Sequence, residues 1–134
     1  MKHHLVIDTS VYLTYAAYGK LYRIADAVYT YGLILYADNQ LLIEFENNIK
    51  KLSLYMPINV EEGIDNLKKF ISIIETIPKF KLSPDPKDNF LFDLAIQTNS
   101  EVIVTKEKAL LGFQASPVPI HDIQWFKETY PVDL

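Results

Sequence analysis

The chain opens on a short apolar run, Leu5-Val6-Ile7, that stops at Asp8 and is followed at once by the hydroxyl pair Thr9-Ser10. A continuous apolar run of this length, closed by polar residues, predicts a buried strand over Leu5 to Asp8. From about Val11 to Tyr31 the pattern changes. Leu21, Ile24, Ala25 and Val28 recur at helical spacing, with an interruption near Gly19, and Gly32 is placed to cap the region. Leu33-Ile34-Leu35-Tyr36 reads as a second strand, and Asp38-Asn39 brings turn and N-cap chemistry for a helix through about Leu52. Leu42, Phe45, Ile49 and Leu52 form the core stripe expected for that helix.

Pro57 breaks the chain, and Asn59 or Glu61 opens a further helix in which Ile64, Leu67, Ile71 and Ile74 repeat at spacings of three and four, until Pro78 ends it. After a linker from Lys79 to Pro84, Asp85-Pro86 has the form of an N-cap followed by Pro at the first helical position, which predicts a helix through about Thr98. Glu101 to Thr105 reads as a third strand, a short helix follows through Leu111, and Val118-Pro119-Ile120 reads as a fourth strand. There is no internal repeat or domain-sized linker, and a length of 134 residues corresponds to a single domain over residues 1–134. Strands alternating with helices imply an α/β fold with a parallel central sheet, helices on both faces and right-handed crossovers.

In that layout the helix N-termini lie near the carboxyl edge of the sheet, where α/β proteins bind ligands. Four acids converge there. Asp8 ends the first strand and Glu107 lies just past the strand that ends at Thr105; Glu44 falls early in its helix, on the flank of the core stripe; and Asp88, in the first turn of its helix, shares a face with Leu91 and Ala95. Each also has a plain reading: Asp8 as a helix cap, Glu44 as a surface acid, Asp88 as a charge favoured near a helix N-terminus, and Glu107 as a solvated turn residue. Together they are harder to dismiss. Converging carboxylates raise one another's pKa unless a cation neutralises them, so a set without an obvious basic partner points to a divalent metal. Asp85, placed before Pro86, reads instead as an N-cap.

Composition narrows the chemistry further. With no Cys and only three His, thiolate sites and disulfides are excluded, and oxygen ligands favour hard divalent cations over zinc. The net charge of −4 argues against a broad basic surface for nucleic acid. It leaves room for local contacts to a phosphate backbone through Lys79, Lys81 and Lys87, or through Lys106 and Lys108. Met1-Lys2-His3-His4-Leu5 lacks the apolar core of a signal peptide, and no eighteen apolar residues follow one another, so a cytoplasmic protein without a membrane span is expected.

Four segments in order, Val6-Ile7-Asp8-Thr9-Ser10-Val11, Leu41-Leu42-Ile43-Glu44-Phe45, Asp85-Pro86-Lys87-Asp88-Asn89 with Leu94-Ala95, and Ile103 through Leu111, resemble the ordered motifs of PIN-domain ribonucleases, above all the VapC-like toxin branch. The likeness covers nearly the whole chain. Each motif is short, and their joint order and spacing carry the specificity.

The resemblance implies a Rossmann-like PIN fold with acidic residues around Mg²⁺ or Mn²⁺, cutting RNA by attack of water. It assigns Asp8, Glu44 and Asp88 to the three main acidic positions and Glu107 to the fourth. Ser10 takes the place of a small polar residue that orients the first Asp, and Thr105 that of the hydroxyl before the fourth acid. It also implies a homodimer and a cognate antitoxin that blocks the active groove. Ile43, opposite the core stripe of its helix, and the many Tyr leave apolar surface for association.

Three positions depart from the family pattern: Glu107 stands where Asp is usual, and Asn89 and Ala109 stand where acids are frequent. An added methylene matters where a misplacement of about 1 Å costs on the order of a hundredfold in rate. These departures support a second reading, a degenerate PIN domain that binds RNA or protein without cutting. A third, a phosphoacceptor receiver domain, fits poorly. A receiver needs an acidic pair after its first strand and an acceptor Asp after its third, whereas Asp8 stands alone and Lys106-Glu107 follows Thr105.

Overall fold

The computed structural model describes residues 2–132. Five strands, β1 (His3–Ile7), β2 (Leu33–Ala37), β3 (Ile71–Ile73), β4 (Val102–Val104) and β5 (Ile120–His121), form one sheet in the order β3-β2-β1-β4-β5. Every pairing is parallel. The central strands are the most apolar, as burial on both faces requires: Leu5, Val6, Ile7, Leu35, Ile103 and Val104 are fully buried.

Helices α1 (Thr9–Ala17), α2 (Leu21–Tyr31), α3 (Asn39–Leu52) and α4 (Val60–Lys68) connect β1 to β3 and pack on one another as one layer. A helical turn (Pro86–Asp88) leads into α5 (Asn89–Gln97), which packs against β1, β2 and β4. Right-handed crossovers place α5 on the face opposite α1 to α4, because the chain changes direction across the sheet at that point. Two short helices complete the chain, α6 (Lys108–Leu111) and α7 (Ile123–Thr129). Among the described residues no helix is long and apolar enough to cross a membrane.

The expected caps are present. Gly32 ends α2 at φ 65°, ψ 46°, a left-handed conformation that a side chain disfavours, and Gly19 separates α1 from α2 at φ 65°. The Asp38 carboxylate accepts from Leu41 N at 2.9 Å at the start of α3, and Asp85 accepts from Lys87 N at 3.2 Å just before the Pro86 turn. In α3 the fully buried residues are Leu41, Phe45 and Ile49, while Leu42 and Leu52 lie half-buried on the shoulder of the stripe.

Three expectations about elements are corrected. The helix opened by Asn59 ends at Lys68, and Ile71–Ile73 is a strand, pairing Leu35 with Ile71 and Ala37 with Ile73. Its isoleucines meet a helical spacing by coincidence. As a β-branched run beside the open edge of β2 they gain a ladder of backbone hydrogen bonds that outweighs a weak helical preference. The segment from Glu101 to Thr105 is therefore the fourth strand, and the last strand lies at Ile120–His121, two residues later than the start expected at Val118. Finally, the chain adds α7 beyond the last expected strand; Asp122 caps it by accepting from Trp125 N at 2.9 Å, and Phe126 is its buried anchor.

Candidate active site

The sheet order reverses at β1. From β1 the chain steps outward to β2 and β3, then returns to lay β4 on the other side of β1. The crevice beyond the carboxyl ends of β1 and β4 is thus the topological switch point. Asp8 follows β1 directly and Thr105 follows β4 directly, with Asp8 N donating to Val104 O at 2.8 Å. Both residues are buried, Asp8 to 2% exposure and Thr105 to 0%.

Asp8 holds the N-cap position of α1 but its carboxylate makes no capping hydrogen bond. Instead Oδ2 accepts from Ser10 Oγ at 2.9 Å and from Thr105 Oγ1 at 2.8 Å. The plain reading of Asp8 as a helix cap is therefore incomplete: two hydroxyls fix one oxygen and the rotamer, which leaves Oδ1 for another partner. Thr105 Oγ1 also receives Glu107 N at 3.1 Å, and Ser10 Oγ receives Lys106 N at 3.3 Å, so the turn after β4 is tied to the Asp8 carboxylate.

The four acids sense one another. Burial raises the Asp8 carboxyl above the ordinary range, the hydroxyls of Thr105 and Ser10 oppose that rise, and the charge of Glu107 adds to it. Glu44, half-buried on the flank of α3, is pushed up to about 7, first by burial and then by the charges of Asp8 and Glu107, with Lys87 partly offsetting them. Asp88, 5% exposed at the start of α5, is pushed up to about 8, first by burial and then by the neighbouring Glu107 carboxyl and the charge of Asp8. Among the described residues the ion pairs are His3 with Glu101 and Lys87 with Asp85, so none reaches Asp8, Glu44, Asp88 or Glu107. The edge is a cluster of carboxyls without an ion-pair partner among the described residues, in partly desolvated surroundings.

All the donors are hard oxygens, the chemistry that suits Mg²⁺ or Mn²⁺. Among the described residues, however, no three acidic or His side chains are drawn to the spacing of a closed metal cage. A groove of about 750 Å³ lies elsewhere, between the α1–α2 turn and α4, lined by Tyr18, Tyr22, Ile58, Asn59 and Phe70 among others.

One residue important to the site's framework, Asp93, is not among the candidates that the sequence marks. Asp93, on the buried face of α5, accepts from Lys79 N at 3.0 Å and Phe80 N at 2.9 Å, which anchors the linker leading to Asp88. An acid between Phe92 and Leu94 in an apolar helix was the available signal. Lys106 joins its ammonium to Thr14 Oγ1 at 2.7 Å on α1. Asn89 accepts from Ser83 N at 3.1 Å and so helps to fold the same linker, whereas Ala109 is exposed on α6.

A family model described as PIN domain matches residues 4–109. The chain belongs to the PIN-domain family. PIN domains are generally nucleases. PAE2754 from Pyrobaculum aerophilum, known from a crystal structure, superposes on this PIN domain with a TM-score of 0.64 over 97% of this chain and 98% of its own, at 16% identity. At that identity the likeness speaks for the fold alone. No curated protein matches the chain in sequence.

Proposed function

We propose that this PIN domain is a divalent-metal-dependent endoribonuclease that hydrolyses RNA phosphodiester bonds with water, and that it is the toxin of a toxin-antitoxin pair. The observation that carries the reading is the convergence of Asp8, Glu44, Asp88 and Glu107 on one edge with no ion-pair partner among the described residues. Asp8, Glu44, Asp88 and Glu107 would hold Mg²⁺ or Mn²⁺. Such a cation, when bound, supplies Lewis acidity toward the phosphate and lowers the pKa of bound water.

The chain's own groups have separable tasks. Ser10 and Thr105 lock the Asp8 carboxylate in one rotamer, so its free oxygen faces a fixed direction without reorganisation. Glu44, titrating near 7, has the acidity expected of a group that accepts the proton of an attacking water at neutral pH. Asp88, pushed up to about 8 by burial and by neighbouring Glu107, would gain its charge on meeting a cation and furnish a further charged oxygen.

The experiment is cleavage of total RNA by the purified protein in Mn²⁺, in Mg²⁺ and in EDTA, beside Asp8→Asn. Metal-dependent cutting that disappears in the variant is expected; intact RNA with ample metal overturns the proposal. The open spacing of the acids and the presence of Glu107 favour, as a second reading, a PIN domain that binds RNA or a partner protein without cutting. Calorimetric Mn²⁺ binding with no hydrolysis would select it.

Partners are carried by family likeness and by exposed apolar surface, since Tyr18, Tyr22, Tyr29, Ile43, Leu54 and Tyr55 all lie half or more in water. On this reading the protein is a homodimer that binds RNA and a cognate antitoxin. Light scattering that showed only monomer at micromolar concentration would remove the dimer, and a neighbouring reading frame for a small DNA-binding protein would support the antitoxin.

A further inference from the structure

An RNA strand approaching this edge meets a protein of net charge −4 and a cluster of carboxyls, so its phosphates are repelled unless a cation is already in position. Lys106 is such a cation. It lies between Thr105, which bonds Asp8, and Glu107, and it is held at both ends. Its backbone N–H donates to Ser10 Oγ at 3.3 Å, the same hydroxyl that donates to Asp8. Its ammonium donates to Thr14 Oγ1 at 2.7 Å, and that hydroxyl in turn donates to Ser10 O at 3.0 Å.

The partner of the ammonium is neutral. Among the described residues no carboxylate lies within ion-pair distance of Lys106, whereas Lys87, the other lysine felt at this edge, pairs with Asp85 at 3.5 Å. Lys106 is exposed, so two of its three N–H groups remain for a ligand. An exposed lysine normally samples many rotamers; here the tether to Thr14, in the second turn of α1, fixes the charge.

We propose that Lys106 is a substrate-positioning residue that binds a phosphate of the RNA strand beside the acidic edge, in the orientation set by Thr14 and Ser10. This rests on the ribonuclease reading above and adds to it a contact that belongs to this chain's own turn between β4 and α6.

The test uses a fluorescein-labelled single-stranded RNA of mixed sequence, about 16 nucleotides long, titrated with the full-length protein in EDTA so that binding is read without cleavage. Lys106→Ala is expected to weaken binding about tenfold and to lower the salt slope by about 0.7, the value for one phosphate contact on a single strand. Lys106→Arg is expected to restore the slope, and Thr14→Val to weaken binding while leaving the slope near the wild-type value. Lys68→Ala, an exposed change on α4, serves as the control with no effect. With Mn²⁺ present, the Lys106→Ala defect is expected mainly in KM. If the wild type binds and cuts RNA while Lys106→Ala keeps its affinity and slope, the inference is overturned and the ribonuclease reading stands. Equal losses in Lys106→Ala and Lys106→Arg also overturn it, since the side chain then acts through structure rather than charge. A wild type that neither binds nor cuts RNA overturns both.

Discussion

Glu44→Gln removes one negative charge from the acidic edge at almost unchanged volume, and it is expected to stabilise the metal-free protein selectively at alkaline pH. The folded-state pKa of Glu44 is raised from 4.5 to about 7, with burial first among the causes. Between those values the native protein keeps a proton that the unfolded chain has released. Stability therefore falls as pH rises through this window, and the full penalty is present above it. A shift of this size corresponds at most to about 3 kcal/mol. Glu44 is only partly buried, and solvent screening reduces the figure to about 1 to 1.5 kcal/mol. Urea unfolding of wild type and variant at pH 5 and pH 8 in EDTA measures it, because groups that titrate alike in both proteins cancel in the difference. With an m-value of about 2 kcal/mol/M, the variant's midpoint should gain about 0.5 to 0.7 M relative to wild type between the two pH values. A wild-type-to-variant difference that is the same at both pH values would refute the claim that the neighbouring acids and burial hold Glu44 protonated. Saturating Mn²⁺ is expected to reverse the order at pH 8, since a charged Glu44 then gains a cation and Gln does not.

Thr105→Val leaves the Asp8 carboxylate with one hydroxyl partner and is expected to lower metal-dependent cleavage about 10- to 100-fold, the usual cost of losing an orienting group, while Asp8→Asn abolishes it; steady-state rates in Mn²⁺ check both. Asp93→Ala takes the acceptor from the part-buried N–H groups of Lys79 and Phe80 and should cost about 1 to 3 kcal/mol in urea unfolding, and an unchanged midpoint would show that the linker finds other acceptors. Asn99 sits at φ 55° beyond α5, so Asn99→Ala should cost about 1 kcal/mol in a thermal melt and Asn99→Gly little or nothing; equal losses in the two would contradict the left-handed cap.

Much of the fold was legible because its punctuation is local chemistry. Gly32 needs no partner to favour a left-handed cap, Asp38 and Asp85 reach amides two or three residues away, and the run Leu5 to Ile7 stops where Asp8 begins. Asp8, Asp88 and Glu107 stand beside a strand end or helix start that the sequence marks, and Glu44 lies in the second turn of α3. What failed was tertiary in origin. Ile71–Ile73 became a strand because the open edge of β2 was there to pair with, and Leu41 rather than Leu42 entered the core because the packing of α3 on α1 set the rotation of the helix.

The sequence alone determined where the chain turns, which residues cap its helices and which acids stand at the carboxyl edge, since each depends on neighbours a few positions away. Only the tertiary structure decided how those acids feel one another. Thr105 meets Asp8 across 97 residues and Lys106 meets Thr14 across 92, and Glu44 titrates near 7 because folding moves it out of water toward other charges. Desolvation and Coulomb repulsion depend on distance in space, which no spacing along the chain encodes.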